Sequence, residues 1–381
     1  MRPDTYGIYS DPLSFGPIHY ASIQVSGVPR TALPAEERIP LGYTVEEDGT
    51  VRFQLHYPNA GKVTVHSPFS DTDLERRGEF WSGTARFRPG FTPVWLTVDG
   101  SLAISPYLPL CFSDNRPINF VNTPDGTDIR VVRDVPHGIV AEDFQRNSVT
   151  GLPECIRVYL PPTYFAEPER RFPVLYLQHG IGENETAWTT QGKINFVLDN
   201  LLAAGEIEPV IVVMCNGMLV TADETESRLG CGFFHEFLTH DVIPHIQRRF
   251  RVEADREHRV MAGLSMGSIQ TSRTALFHPE LFRAIGLFSG FLSDPLGGYN
   301  DHLAPERLAA FRDSGTYLFR IIGDEDPFMP VFVNDDGILA AAGIDCDRRI
   351  YHGNHEWNVW RRCFVDFVRL VFGTDRPEAG R

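Results

Sequence analysis

Gly263-Leu264-Ser265-Met266-Gly267 follows the apolar run Val260-Met261-Ala262 and precedes a helix-like stretch at residues 268–277. A strand, a tight glycine turn and a helix are what a G-x-S-x-G nucleophile elbow requires. The serine occupies a strained turn, so its hydroxyl projects above the sheet edge. The flanking glycines leave room for that turn and for a molecule approaching it. Five-residue matches arise by chance, and what gives this one weight is its flanking pattern and the partners placed downstream.

Outward from the elbow, short apolar strands alternate with helix-length segments. Residues 155–160, 174–177, 210–214, 260–263, 284–288, 317–322 and 348–351 read as strands. Residues 194–204, 234–250, the elbow helix, 331–341 and a last segment from Trp357 read as helices. That rhythm predicts the α/β class, a doubly wound, mostly parallel sheet covered on both faces. The first third has another texture. Val51, Phe53, Leu55 and Tyr57 alternate with polar neighbours, and further short runs follow, each broken by glycine or proline turns. Such a pattern describes a small all-β sandwich. With 381 residues, two domains fit comfortably. The expected limits are an extension over 1–40, the sandwich over 41–116, a polar linker over 117–149 and the α/β domain over 150–381.

A serine hydroxyl attacks poorly unless a base takes its proton, and the base needs an orienting acid. In α/β-hydrolases the order along the chain is Ser, Asp or Glu, then His. The strand at 317–322 runs into Gly323-Asp324-Glu325-Asp326-Pro327, and the one ending at Tyr351 runs into His352-Gly353-Asn354-His355-Glu356-Trp357. Both loops fall at the carboxyl edge of the sheet. Asp324 and Asp326 each qualify as the acid, with Glu325 behind them; His352 and His355 each qualify as the base. Two backbone N–H groups must also face the developing oxyanion. Met266 supplies one by its place after the serine, and Gln178-His179-Gly180-Ile181-Gly182 is the candidate loop for the other.

Other chemistries find little support. A net charge of -15 without a basic stretch argues against nucleic acid or an anionic membrane as partner. No apolar run reaches transmembrane length, and the opening residues lack the basic-then-apolar design of a secretory signal, so a cytoplasmic location is expected. Six scattered cysteines without a CxxC pair read as reduced and mostly buried. His235-Glu236 misses HExxH by one position, and His235, His240 and His245 scatter around a helix, so no metal is expected. No cofactor is implied.

The stretches 176–180, 182–188, 191–192, 198–202 and 212–217, with Asp241-Val242-Ile243-Pro244, Ala262-Gly263-Leu264-Ser265-Met266-Gly267 and Gly353-Asn354-His355-Glu356-Trp357, resemble the esterase-D-like carbohydrate esterases. That is the feruloyl and acetyl-xylan esterase group of α/β-hydrolases, and the resemblance covers essentially all of 150–372. Residues 40–110 are similar, more weakly, to the immunoglobulin-like, starch-binding-module-type domain often found ahead of such enzymes. The resemblance implies Ser265 as nucleophile, His355 as base and Asp326 as acid, with the Ile181 and Met266 amides at the oxyanion. Two departures are Ser268, where a second glycine is common, and Cys215, where proline is usual.

The implied activity is hydrolysis of feruloyl or acetyl esters of a carbohydrate, a small-molecule or oligosaccharide substrate. An acyltransferase, a siderophore-ester hydrolase and a glycan-binding protein with a vestigial hydrolase domain are the alternatives. Trp188, Met218 and Trp357, with Trp360, lie on loops at the catalytic edge and are candidates for stacking on a phenolic acyl group. Residues 219–233 read as an insertion lining or covering that pocket. Trp81 and Trp95 stand in alternating strands and are expected in the sandwich core, not on a sugar platform. The leading 40 residues are expected to lie along the catalytic domain or a neighbouring subunit, which admits a homo-oligomer.

Overall fold

The computed structural model describes residues 41–219, 232–295, 298 and 300–374 and divides into two units, with the boundary between Arg133 and Asp134. The first unit is all β. One sheet has the order β1 (Gly42–Val45), β2 (Val51–His56), β6 (Phe80–Ala85), β5 (Glu75–Arg77). The other has the order β4 (Asp71–Asp73), β3 (Val63–His66), β7 (Gly90–Val98), β10 (Arg116–Thr123), β9 (Leu110–Ser113), and β8 (Ser101–Ala103) pairs with β7. Alternation puts Val51, Phe53 and Leu55 of the first sheet and Val63, Val65, Val94 and Leu96 of the second into one shared core, which makes the unit a sandwich. Trp81 is in that core, its indole N–H donating to the Tyr57 carbonyl at 2.9 Å. Trp95 is not: it lies between the buried Val94 and Leu96, so the pleat turns it to the outer face, half-buried and stacked on His66.

The expected linker over 117–149 is replaced by two strands. β10 completes the sandwich, and β11 (Ile139–Arg146) opens the sheet of the second unit. Both were hidden by polarity. Asn119 of β10 is buried because its side chain bonds the Ser105 amide and the Ser105 and Leu108 carbonyls. β11 is an edge strand with one wet side, paired antiparallel with β12 (Pro153–Leu160) from Ile139↔Leu160 to Arg146↔Pro153.

The second unit is an eight-stranded sheet. Its order is β11, β12, β14 (Ile211–Cys215), β13 (Val174–Gln178), β15 (Arg259–Leu264), β16 (Ala284–Phe288), β17 (Tyr317–Gly323), β18 (Asp347–Tyr351), parallel from β14 onward. Every residue of β13, β14, β15 and β16 is buried, as continuous apolar strands covered on both faces should be. The main helices are α1 (Ile194–Ala203), α2 (Met266–Phe277), α3 (Pro305–Ser314), α4 (Met329–Ala342) and α5 (Trp357–Phe372). Residues 234–249 are helical as expected, but a π-helical segment, Phe237–Val242, interrupts them. Among the described residues no helix is long and apolar enough to cross a membrane.

The chain leaves β13 to form β14 on one side and returns to place β15 on the other. That reversal opens a crevice beyond the carboxyl ends of β13 and β15, where open α/β sheets hold their ligands. Leu177 pairs with Ala262 and Gln178 with Gly263, so the loop after β13 and the elbow emerge side by side.

Candidate active site

Ser265 sits between β15 and α2 at φ 50, ψ −117, a region that costs an L-residue energy and is kept only where the surroundings enforce it. The enforcement is visible at the glycines. A methyl group on Gly263 would lie 2.3 Å from the Gly267 carbonyl oxygen, and one on Gly267 would lie 2.6 Å from that of His179. The helix behind the serine carries buried polar residues, and its hydroxyls are satisfied locally. Ser268 donates to the Ser265 carbonyl, Thr271 to Gly267 and Thr274 to Gln270. Ser268 also accepts from the Phe291 amide at 3.0 Å, so this departure from glycine ties a neighbouring loop to the elbow. Cys215, the other departure, is buried, and burial pushes its thiol up.

His355 bridges the two partners. Its Nε2 accepts from the Ser265 hydroxyl at 2.9 Å and its Nδ1–H donates to Asp326 Oδ2 at 2.8 Å. Burial alone would raise the Asp326 carboxyl, but hydrogen bonds from His355, the Phe328 amide and the Ser289 hydroxyl hold it below its ordinary value. The other candidates fall elsewhere. Asp324 and His352 are exposed and bond each other at 3.2 Å, and Asp324 also accepts from the Gly353 amide. Glu325 is exposed beside them. The register of the loops after β17 and β18 turns Asp326 and His355 inward and leaves this trio outside.

At the oxyanion side, Met266 is the first residue of α2, so its N–H has no intrahelical acceptor. In the loop after β13 the Gly180 amide donates to Glu183 Oε2 at 2.9 Å and the Gly182 amide to the Met218 sulfur at 3.4 Å. The Ile181 amide lies between these two, and no described group accepts from it. A methyl group on Gly180 would sit 3.6 Å from Ser265 Cβ, so this loop lies against the nucleophile.

His179 joins that loop to the one after β14. Its Nε2 accepts from the Gly217 amide at 2.8 Å, which leaves Nδ1–H to donate to the Gly180 carbonyl at 2.8 Å. Burial lowers its pKa to about 4. The unfolded chain, with an ordinary histidine near 6.5, therefore takes up the proton first. The stability that neutral His179 contributes is complete above about pH 6.5 and is lost as pH falls toward 4, on the order of 3 kcal/mol. His235, also lowered to about 4 by burial and then by Arg273, adds to the same window. Urea midpoints are expected to drop steeply between pH 7 and pH 4.5, and His179→Asn should flatten that slope. An equal slope in the variant would remove His179 from the account.

Of the four expected stacking candidates, the three tryptophans are buried and only Met218 is not. Trp188 is 1% exposed, donates to the Gln178 carbonyl and packs on Phe288, Trp357 and Phe364, so it is core and not pocket. Trp357 is 5% exposed, with its indole N–H on Glu183. Trp360 is also buried and donates to the Ser289 hydroxyl. Period and position placed these indoles at the right edge, but their N–H groups each needed an internal acceptor, and that drew them inward. Met218 remains half-buried beside the site. It belongs to an apolar cluster of Met266, Ile269 and Phe291, flanked by half-buried Phe328 and Val331. The Phe328 ring is 5.1 Å from His355. Phe291 and Phe328 escaped sequence reasoning, although both follow strand ends at the catalytic edge. So did Ser289, which has φ 47 after β16 and donates to Asp326 Oδ2 at 2.8 Å. Its Ser-Gly turn behind an apolar strand echoes the elbow and was the available signal. The insertion over 219–233 falls mostly outside the described residues, as does the leading segment.

Residues 149–321 match the family model described as putative esterase. The chain is 33% identical over 344 residues to an endo-1,4-beta-xylanase/feruloyl esterase of Xylanibacter ruminicola, which covers 86% of this chain but only 45% of that protein. Among solved structures, a ferulic acid esterase superposes with TM-score 0.54 at 25% identity, covering 62% of this chain and 98% of that one. The enterobactin esterase of Shigella flexneri superposes with TM-score 0.62 at 14% identity, over 84% of this chain and 92% of that one, a likeness of fold. Residues 149–321 are therefore similar to that esterase family, and the second unit has the α/β-hydrolase fold.

Proposed function

We propose that this chain is a serine carboxylester hydrolase acting on acylated carbohydrate, with a hydroxycinnamoyl group such as feruloyl, or acetyl, as the acyl part. The observation that carries this is the unbroken hydrogen-bonded line from Ser265 through His355 to Asp326, beside the Met266 and Ile181 amides. The Ser265 oxygen attacks the ester carbonyl while His355 Nε2 takes its proton. The two amides receive the oxyanion, and collapse expels the sugar alcohol, which takes the proton back from His355. Water then repeats the sequence on the acyl-serine, releasing the acid and restoring Ser265. The half-buried Met218, Phe328 and Val331 give the acyl group an apolar wall, which favours a planar aromatic acid. The name of the Xylanibacter relative supports the feruloyl choice.

Transfer of the acyl group to an acceptor alcohol uses the same first half-reaction. Cleavage of a siderophore ester is the other enzymatic alternative, favoured by the fold likeness to the enterobactin esterase. The vestigial reading is disfavoured, because a decayed site would usually have lost one member of the line. Hydrolysis of p-nitrophenyl acetate, p-nitrophenyl butyrate, methyl acetate, methyl butyrate and methyl ferulate, with product analysis in the presence of added alcohols, separates these. The expected result is free acid as the main product and a higher kcat/KM for methyl ferulate than for methyl esters of short aliphatic acids. Failure to turn over any ester would overturn the proposal, and dominant transesterification would favour the transferase.

A further inference from the structure

We infer that Glu183 is a positioning residue, the carboxylate that locks the oxyanion loop to the loop carrying the base. The inference rests on the ester-hydrolase reading above. Glu183 follows β13 on the loop of Gly180 and Ile181 and is 5% exposed. Its Oε2 accepts from the Gly180 amide at 2.9 Å. Its Oε1 accepts from the indole of Trp357 at 2.7 Å and the side-chain amide of Gln191 at 3.2 Å. Trp357 begins α5, two residues beyond His355, and is 174 positions from Glu183.

A peptide unit is planar, with its carbonyl and N–H pointing opposite ways. The direction of the Ile181 N–H is therefore set by the Gly180 carbonyl. That carbonyl accepts from His179 Nδ1 at 2.8 Å and from the Glu183 amide at 3.3 Å. The preceding peptide plane is set by the Gly180 N–H, held on Glu183 Oε2. Glycine has no side chain to limit its torsions, so both planes flanking Gly180 depend on these bonds, and Glu183 supplies one for each. The same carboxylate holds the start of α5, so the donor for the oxyanion and the base that shuttles the proton share one anchor. At least three donors converge on two oxygens. A carboxylate satisfies all of them, whereas a carboxamide would turn its NH₂ toward at least one.

Misaligning an oxyanion donor weakens transition-state binding and leaves substrate binding alone, which appears in kcat and not in KM. The test uses the full chain with p-nitrophenyl acetate, active sites being counted by complete fluorophosphonate labelling. Glu183→Gln is expected to lower kcat per labelled site by roughly 10- to 100-fold, below the full loss of one oxyanion donor, with KM within about twofold. Its affinity for phenylboronic acid, which forms a tetrahedral adduct on the serine, should fall by a similar factor. Trp357→Phe keeps the ring packing but removes one tether, and should lower kcat by roughly 3- to 10-fold. It decides the matter if Glu183→Gln does not fold. Unchanged kcat per labelled site, or a loss confined to the number of labelled sites, would overturn the inference while leaving the hydrolase reading intact. A parent enzyme that turned over no ester would overturn both.

Discussion

Ser265→Ala is expected to abolish ester turnover, lowering kcat on the order of 10⁵-fold, while the fold survives. The hydroxyl lies 2.9 Å from His355 Nε2, and alanine removes the attacking atom and little else. The left-handed backbone at this position is enforced by the Gly263 and Gly267 packing and not by the hydroxyl, so the variant should keep its melting temperature within a few degrees. Steady-state hydrolysis of p-nitrophenyl acetate and labelling by a fluorophosphonate measure the effect. Labelling on any serine other than Ser265, or substantial turnover by the alanine variant, would refute the assignment.

Asp326→Asn is expected to cost on the order of 10⁴ in kcat, by the tautomer argument. In the parent the carboxylate requires an N–H at His355 Nδ1, which leaves Nε2 free to accept the serine proton. An asparagine that presented its NH₂ to Nδ1 would stabilise the other tautomer and block that acceptance. The Phe328 amide donates to the other carboxylate oxygen, Oδ1, and would hold the replacement's carbonyl there, turning its NH₂ toward Nδ1. Asp324→Asn, on the exposed outer pair with His352, should change kcat by less than about threefold, as expected for a surface substitution. A comparison of the two variants at pH 7.5 decides between them, and a larger loss at Asp324 would transfer the role of acid to it.

The parts of this architecture that the chain displays openly are those written over short distances. The elbow needs five residues, and buried parallel strands announce themselves as continuous apolar runs, so Ser265 followed by an acidic loop and then a histidine loop at one sheet edge could be reached from pattern alone, with His355 over His352 left to the resemblance. The choice of Asp326 over Asp324 was carried by resemblance, since both lie in one loop two residues apart. β10 and β11 were obscured because Asn119 and the wet face of β11 carry the polarity of a linker, and only pairing partners reveal them as strands. Trp188 and Trp357 were misplaced because an indole on a segment following a strand suits a pocket and a core equally well. The acceptor that decided the Trp357 case, Glu183, is 174 residues away.

That spacing also bears on how the molecule acquires its activity. The nucleophile is joined to its base across 90 residues, and the oxyanion loop to the start of α5 across 174. Contacts so distant form only after the intervening chain has lost its freedom, which makes them late events in folding. A nascent chain that has emerged only through α2 holds Ser265 but neither His355 nor Asp326. Hydrolytic competence is thus withheld until the last strand and helix dock, and recovery of turnover after denaturation reports completion of the α/β unit, not early collapse.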